Sequence, residues 1–386
     1  MMEWSVPEEQ RDSLNLLLEE SALKGLKRKT RYPNHRFLGI LCSYFPEELI
    51  MAFGLEPLRL LPDSAQRTPG ELPPFSCSLA RGILDMELQG RWEDLLGVGF
   101  VHTCDTMQCL SGIWEFAGKQ NIVNMVPPVM LKAAGANQYY QEEVKRAWEQ
   151  LHKLTGHEPT EESLREAIRL CRRIREKVTE VEELREKLPS PLTAALLRAG
   201  QLMPRAIYAE ALDEVLPVLY ARAEESGSRA RLMVSGAVLE NDQVYAMIEE
   251  LEGRVVVDDT CTGYRHYSGS LMEESADPWY DLVKRYEDMP PCPCKNQSLN
   301  ARLKYLGNLA SRRQVEGAVL VIRKYCEPHA WDAVPLAETL QNRGIRTLVL
   351  ELEGADVGGQ ERTRLQAFLE SIQENRSSDS GGRAQT

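Results

Sequence analysis

Arg231-Leu-Met-Val-Ser235 and Arg254-Val-Val-Val257 are short apolar runs, and Glu240–Leu251 between them carries the apolar spacing of a helix. Strand, helix, strand is the reading that their periods dictate. The unit recurs downstream, with a strand at Val319–Val321, a helix over Ala333–Arg343 and a strand at Thr347-Leu-Val-Leu-Glu351. It recurs upstream as well. A strand around Leu38–Leu41 leads to a helix opening at Pro46-Glu-Glu-Leu-Ile-Met-Ala-Phe53, then to a strand at Pro57–Leu61, with Gly54 where a helix C-cap is wanted. A helix over Leu79–Leu88, a strand at Val98–Val101 and a helix after Cys104 complete that half. Repeated β-α-β units call for parallel sheets joined by right-handed crossovers. The predicted architecture is therefore α/β, with two similar halves.

Between the halves the chain changes character. Residues 138–188 are charged and helix-forming, and they restart at Pro159-Thr-Glu-Glu, where Thr160 suits an N-cap and the acids suit the first turn. The expected organisation is a helical lead-in over 1–35 and a first α/β domain over 36–205 that carries a helical insertion at 138–200. A second α/β domain over 206–375 and a disordered Ser/Gly/Arg tail over 376–386 follow.

A chain of 386 residues with 43% hydrophobic residues has ample material for such a pair of cores. A net charge of −12 opposes a nucleic-acid surface, which needs a basic face. No run approaches the roughly 18 apolar residues of a membrane span, and the start Met1-Met-Glu-Trp-Ser-Val-Pro has no secretory pattern. Nine cysteines, an odd and dilute number, read as reduced cytoplasmic thiols rather than a disulfide scaffold.

Four of these cysteines follow apolar runs directly: Cys42 after Phe37–Leu41, Cys104 after Val98–Thr103, Cys261 after Val255–Thr260 and Cys326 after Val319–Tyr325. The carboxyl edge of an open α/β sheet is where ligands bind. Thiols gathered there from distant points of a chain suit a metal cluster, with iron–sulfur the leading candidate. Cys77 follows a Pro-rich loop, and Pro290-Pro-Cys-Pro-Cys-Lys295 holds Cys292 and Cys294 on an extended segment where both can share a face. Zinc is the plainer alternative, but it calls for paired CxxC units or close Cys/His pairs, which the chain lacks. Cys109 lies five residues past Cys104 on a helix, pointing elsewhere, and either packs or serves a second centre. Cys171, inside a charged helix, reads as structural.

His102 and His329 sit beside Cys104 and Cys326, as hydrogen-bond donors behind the metal ligands, substrate-facing acids or structural residues. Glu47 and Glu48 open the first domain's first helix, where they either stabilise its dipole or offer a proton-carrying carboxylate on the ligand rim. No GxxxxGK[ST], GxGxxG or GxSxG motif follows a strand, so any ATP chemistry belongs to another protein.

Cys42-Ser-Tyr-Phe-Pro-Glu-Glu-Leu-Ile, Phe75-Ser-Cys-Ser, His102-Thr-Cys-Asp-Thr, Tyr325-Cys-Glu-Pro-His-Ala-Trp-Asp and Gly359-Gln-Glu-Arg-Thr-Arg-Leu-Gln-Ala-Phe together resemble the 2-hydroxyacyl-CoA dehydratase and benzoyl-CoA reductase superfamily, over about residues 35–373. The resemblance implies two Rossmann/flavodoxin-like domains and a [4Fe-4S] cluster on Cys77, Cys104 and Cys326. It also implies an ATP-hydrolysing iron–sulfur activator that delivers low-potential electrons. Five further thiols remain, Cys42, Cys109, Cys261, Cys292 and Cys294. That surplus resembles the double-cubane-cluster branch, a homodimer in which three of the five would hold the second cubane of an [8Fe-9S]-type cluster, with strand-end position favouring Cys42 and Cys261. The implied activity is reduction of a small molecule. The alternative is a single-cluster dehydratase-type subunit acting on a 2-hydroxyacyl-CoA through a ketyl radical.

Overall fold

The computed structural model describes residues 8–63, 69–118, 120–223, 227–271, 274–295 and 298–382. Helices α1 (Glu8–Leu23) and α2 (Arg28–Arg31) lead into the first sheet, made of β1 (Phe37–Ile40), β2 (Glu56–Arg59), β3 (Gly97–Val101) and β4 (Asn121–Met125). Between these strands run α3 (Glu47–Ala52), α4 (Ser78–Leu88) and α5 (Asp105–Ala117). All pairings are parallel and the strand order is β2-β1-β3-β4. Every residue of β1 and β3 is buried, as expected of central parallel strands covered on both faces. β4 is a strand that the sequence reading missed, because the asparagines of Asn-Ile-Val-Asn-Met interrupt its apolar signal and it lies at the edge.

A helical layer follows: α6 (Ala136–Thr155), α7 (Glu161–Glu183), α8 (Ser190–Ala199) and α9 (Arg205–Arg222). Thr160 caps α7 as its sequence position predicts, its hydroxyl accepting from the Ser163 amide at 3.1 Å with Glu161 and Glu162 in the first turn. This layer does more than shield the sheet. α9 packs on both α1 and α7, and α8 packs on α1. The expected domain boundary at 205/206 thus falls in the first turn of α9, a helix that joins the layer rather than the second sheet.

The second half repeats the first. β5 (Ala230–Gly236), α10 (Gln243–Glu250), β6 (Gly253–Asp259), α11 (Tyr264–Tyr267), α12 (Pro278–Glu287) and α13 (Leu299–Arg312) precede β7 (Gly317–Arg323), α14 (Glu327–Gln341), β8 (Arg346–Leu352) and α15 (Gly359–Gly382). Its order, β6-β5-β7-β8, is the first sheet's order again, and all pairings are parallel. This is the flavodoxin-like arrangement, in which the strand order reverses beside the first strand of each sheet and ligands bind outside the carboxyl ends there. α15 continues to Gly382, so the Ser/Gly stretch expected as a tail begins as helix. Separate buried clusters cover the two faces of each sheet.

Candidate metal centre

Three cysteines occupy one structural position. Cys77, Cys104 and Cys326 are the N-cap residues of α4, α5 and α14. A helix N-terminus presents unpaired amides and a positive dipole end, which favour a thiolate. Amides of Leu79 and Ala80 act this way on Cys77, and those of Thr106 and Met107 on Cys104. Burial opposes them and wins: Cys77 and Cys104 are raised, and Cys326 is pushed up to about 12. Each thiol feels the others, Cys104 and Cys326 both interacting with Cys77, and Cys326 also with Cys104 and Cys261.

A second group adjoins the first. Cys42, two residues beyond β1, interacts with Cys292 and Cys261, and burial pushes its thiol up to about 12. Cys292 and Cys294 are hydrogen-bonded through their side chains, which lowers Cys292 and raises Cys294. The loop that carries them is closed by the Cys292 amide donating to the Lys295 carbonyl at 2.9 Å, and the Lys295 amide points back at Cys292 Sγ, 3.2 Å away. Cys294 senses Cys104 and Cys42 as well as Cys292, which ties the two groups together. Phe45 anchors the Cys42 loop by lying across Gly99 of β3, where a Cβ would stand 2.6 Å from its ring.

Buried cations surround these seven thiols, and sequence reasoning did not single them out. Arg59 ends β2, is 2% exposed and acts on Cys42; its only side-chain hydrogen bond among the described residues is a 3.4 Å contact to Ser43. Arg323 ends β7 and acts on Cys77 and Cys326, with burial drawing its own pKa down to about 10. Arg265 reaches Cys261 Sγ at 3.6 Å. Arg302 acts on Cys292, and Lys295 lies fully buried beside Cys42, Cys292 and Cys294, its Nζ donating to the Pro127 carbonyl at 2.8 Å. Arg59 and Arg323 could have been suspected, since each closes a strand at the ligand-binding edge. Arg265 and Arg302 sit on α11 and α13, and no local pattern marks them.

The remaining candidates divide cleanly. His329 Nδ1 stands 3.3 Å from Cys326 Sγ, and burial together with Arg265 and Arg302 lowers its pKa to about 3, so a neutral ring faces the sulfur. His102 turns away to Ser111 (3.0 Å) and Asn124 (3.2 Å). Glu47 is gripped by Arg205 through both carboxylate oxygens at 2.7 and 2.8 Å, and His266 adds a 3.2 Å contact. Burial favours its neutral form, but Arg205 and His266 outweigh burial and hold it ionised, well below the usual carboxylate range. Glu48 is 1% exposed and binds Arg175 at 2.5 Å and the Tyr286 hydroxyl at 2.8 Å. Cys109 is exposed on α5, and Cys171 is buried against Met51.

Among the described residues no three Cys, His, Asp or Glu side chains stand close enough to hold a single metal ion. Thiols drawn from several elements are nevertheless the kind of donor that an iron–sulfur cluster takes. Ligands of a four-iron cluster bind different irons and so stand further apart than those of one zinc. Buried thiols become anionic when metallated, and the ring of arginines and Lys295 offsets that charge.

Two flavodoxin-like sheets that turn their ligand-binding edges onto one thiol-lined centre define the class: a two-domain α/β protein built around a shared cysteine site. More specifically, the chain belongs to the 2-hydroxyglutaryl-CoA dehydratase, D-component family, whose model matches residues 42–372. Lactoyl-CoA dehydratase subunit beta of Anaerotignum propionicum is 24% identical, over 87% of this chain and 91% of its own length. (R)-phenyllactyl-CoA dehydratase beta subunit of Clostridium sporogenes is 22% identical, over 92% and 96%. One of the subunits of benzoyl-CoA reductase from Thauera aromatica is 24% identical, over 79% and 82%. These relatives are subunits of dehydratases and of a reductase, and the superfamily expected from the sequence motifs is the one to which the chain belongs.

Proposed function

We propose that this protein is an iron–sulfur oxidoreductase with a double-cubane [8Fe-9S]-type cluster. The observation that carries the reading is the meeting of seven thiols from both halves inside a shell of buried cations. Cys77, Cys104 and Cys326 would hold the first cubane, and three of Cys42, Cys261, Cys292 and Cys294 the second; exposed Cys109 stands outside both sets. Such a cluster supplies low-potential electrons, more than one at a time when two cubanes are joined. The chain's own residues hold the site dry, compensate its negative charge through Arg59, Arg265, Arg302, Arg323 and Lys295, and set a hydrogen-bonding environment at Cys326 through His329. Glu47 and Glu48 serve this centre as fixed members of ion pairs that brace the helix after Cys42, not as proton carriers. An ATP-hydrolysing [4Fe-4S] activator would feed the electrons, the working unit would be a cytoplasmic homodimer, and the substrate a small molecule. Among the described residues no helix is long and apolar enough to cross a membrane.

The names of the relatives favour a second reading, a dehydratase-type subunit with one [4Fe-4S] cluster acting on a 2-hydroxyacyl-CoA. Iron and acid-labile sulfide per chain, in protein purified without oxygen, separate the two. About eight irons with slightly more sulfide is the expected result, and about four would establish the single-cluster reading. Stoichiometric zinc with little iron would overturn both.

A further inference from the structure

A cavity of about 420 Å³ opens beside the thiol centre, within the size range of small-molecule sites. Arg265 forms the partition: it lines the cavity and also contacts Cys261 Sγ. Pro290 and Pro291, which lead into Cys292, form another part of the wall. The rest is mixed, with the rings of Tyr264 and Tyr305 and the side chains of Met289 and Leu309 giving it apolar faces.

The charges of the wall are unequally satisfied. Each of its four carboxylates is committed to a partner. Glu182 binds Arg185, and Asp258 accepts from Tyr245 at 3.1 Å and Thr260 at 2.8 Å. Asp259 is held by Arg265 at 2.8 Å and Arg302 at 3.1 Å, while Asp288 is held by Lys132 and Lys284. Arg312 and Arg313, at the end of α13, line the same cavity, yet neither guanidinium makes a hydrogen bond or ion pair with a described residue. Arg313 feels Glu182 and Glu186 only as more distant charges. A cavity whose acids already have partners and whose two unpaired arginines have donors to spare selects for negative charge.

We infer that this cavity is the binding site of an anionic small molecule, its carboxylate or phosphate group held by Arg312 and Arg313 and its apolar body directed along Tyr264 and Tyr305 toward the Arg265–Cys261 partition. That the bound molecule is the substrate rests on the function proposed above; that an anion binds here does not.

The test is calorimetric titration of the oxygen-free holoprotein with coenzyme A, inorganic phosphate and lactate, for the wild type and for R312A/R313A. The expected result is that at least one probe binds the wild type and loses about tenfold or more in affinity in the double variant, a change of roughly 1.4 kcal/mol. Coenzyme A displaced by phosphate would assign the site to a phosphate group, and lactate binding alone would assign it to a free carboxylate. Binding of no probe, or equal binding by both proteins, would overturn the inference. R312A alone changes an exposed residue and serves if the double variant folds poorly. Iron measured on the same samples keeps the two questions apart: retained anion binding in protein with little iron would sustain the cavity and remove the cluster reading.

Discussion

Arg205 and Glu47 illustrate how much of this site depends on single buried charges. Arg205 is 1% exposed and donates to both Glu47 oxygens, so removing it strands a carboxylate in the core. Arg205→Met should destabilise the protein by about 3–5 kcal/mol, read by denaturant unfolding, whereas R205M combined with E47Q should recover part of that loss. Acid should act on the same pair. Because the folded protein holds Glu47 well below its unfolded pKa, its contribution is complete above about pH 4.3 and declines as the pH falls below it. Melting curves between pH 7 and 3 should show that decline, and it should be shallower in E47Q. Glu47 and Glu48 were legible in the sequence as candidates, but their roles were not, since Arg175 and Arg205 reach them from helices more than a hundred residues away.

At the scale of the element, the unit that matters is strand, tight loop, cysteine, helix. Tyr325 adopts a left-handed conformation with φ of 64° immediately before Cys326, a conformation that residues other than glycine, asparagine and aspartate seldom take. It turns the chain from β7 into α14 with the Cys326 sulfur at the helix N-terminus. Tyr325→Gly should leave stability unchanged or raise it slightly, whereas Tyr325→Val should cost on the order of 1–2 kcal/mol and lower iron content, both measurable on purified protein. The opposite pattern would mean that the Tyr325 side chain, not its backbone, does the positioning. The strands with unbroken apolar runs were readable to within a residue or two. The sequence does not separate α8 from the insertion and puts α9 into the second domain, because their Ala/Leu-rich sequences have no sharp boundary signal and their place is set by packing on α1 and α7.

For the whole molecule, the centre draws Cys42, Cys77 and Cys104 from one half and Cys261, Cys292, Cys294 and Cys326 from the other. A cluster bound there cross-links the halves, so stripping iron from the holoprotein should lower its melting temperature and increase proteolysis between them. Loading the apoprotein should release protons, since burial keeps Cys42 and Cys326 protonated until metal displaces them. Cys104→Ser should cost one cubane's iron. Cys261→Ser should leave the first cubane intact, and full iron content in that variant would show that Cys261 is not a required ligand.

By itself the sequence determined the α/β class, the doubling of the domain and the strand-end position of the cysteines, because each is written in local period and order. Only the tertiary structure decided that the two edges face one another, which cations compensate the thiols, that Cys109 stays in solvent and that Arg312 and Arg313 line a cavity. Those are contacts between residues far apart in the chain. No local pattern encodes them, because charge compensation in a buried site depends on which side chains the packed sheets bring within reach.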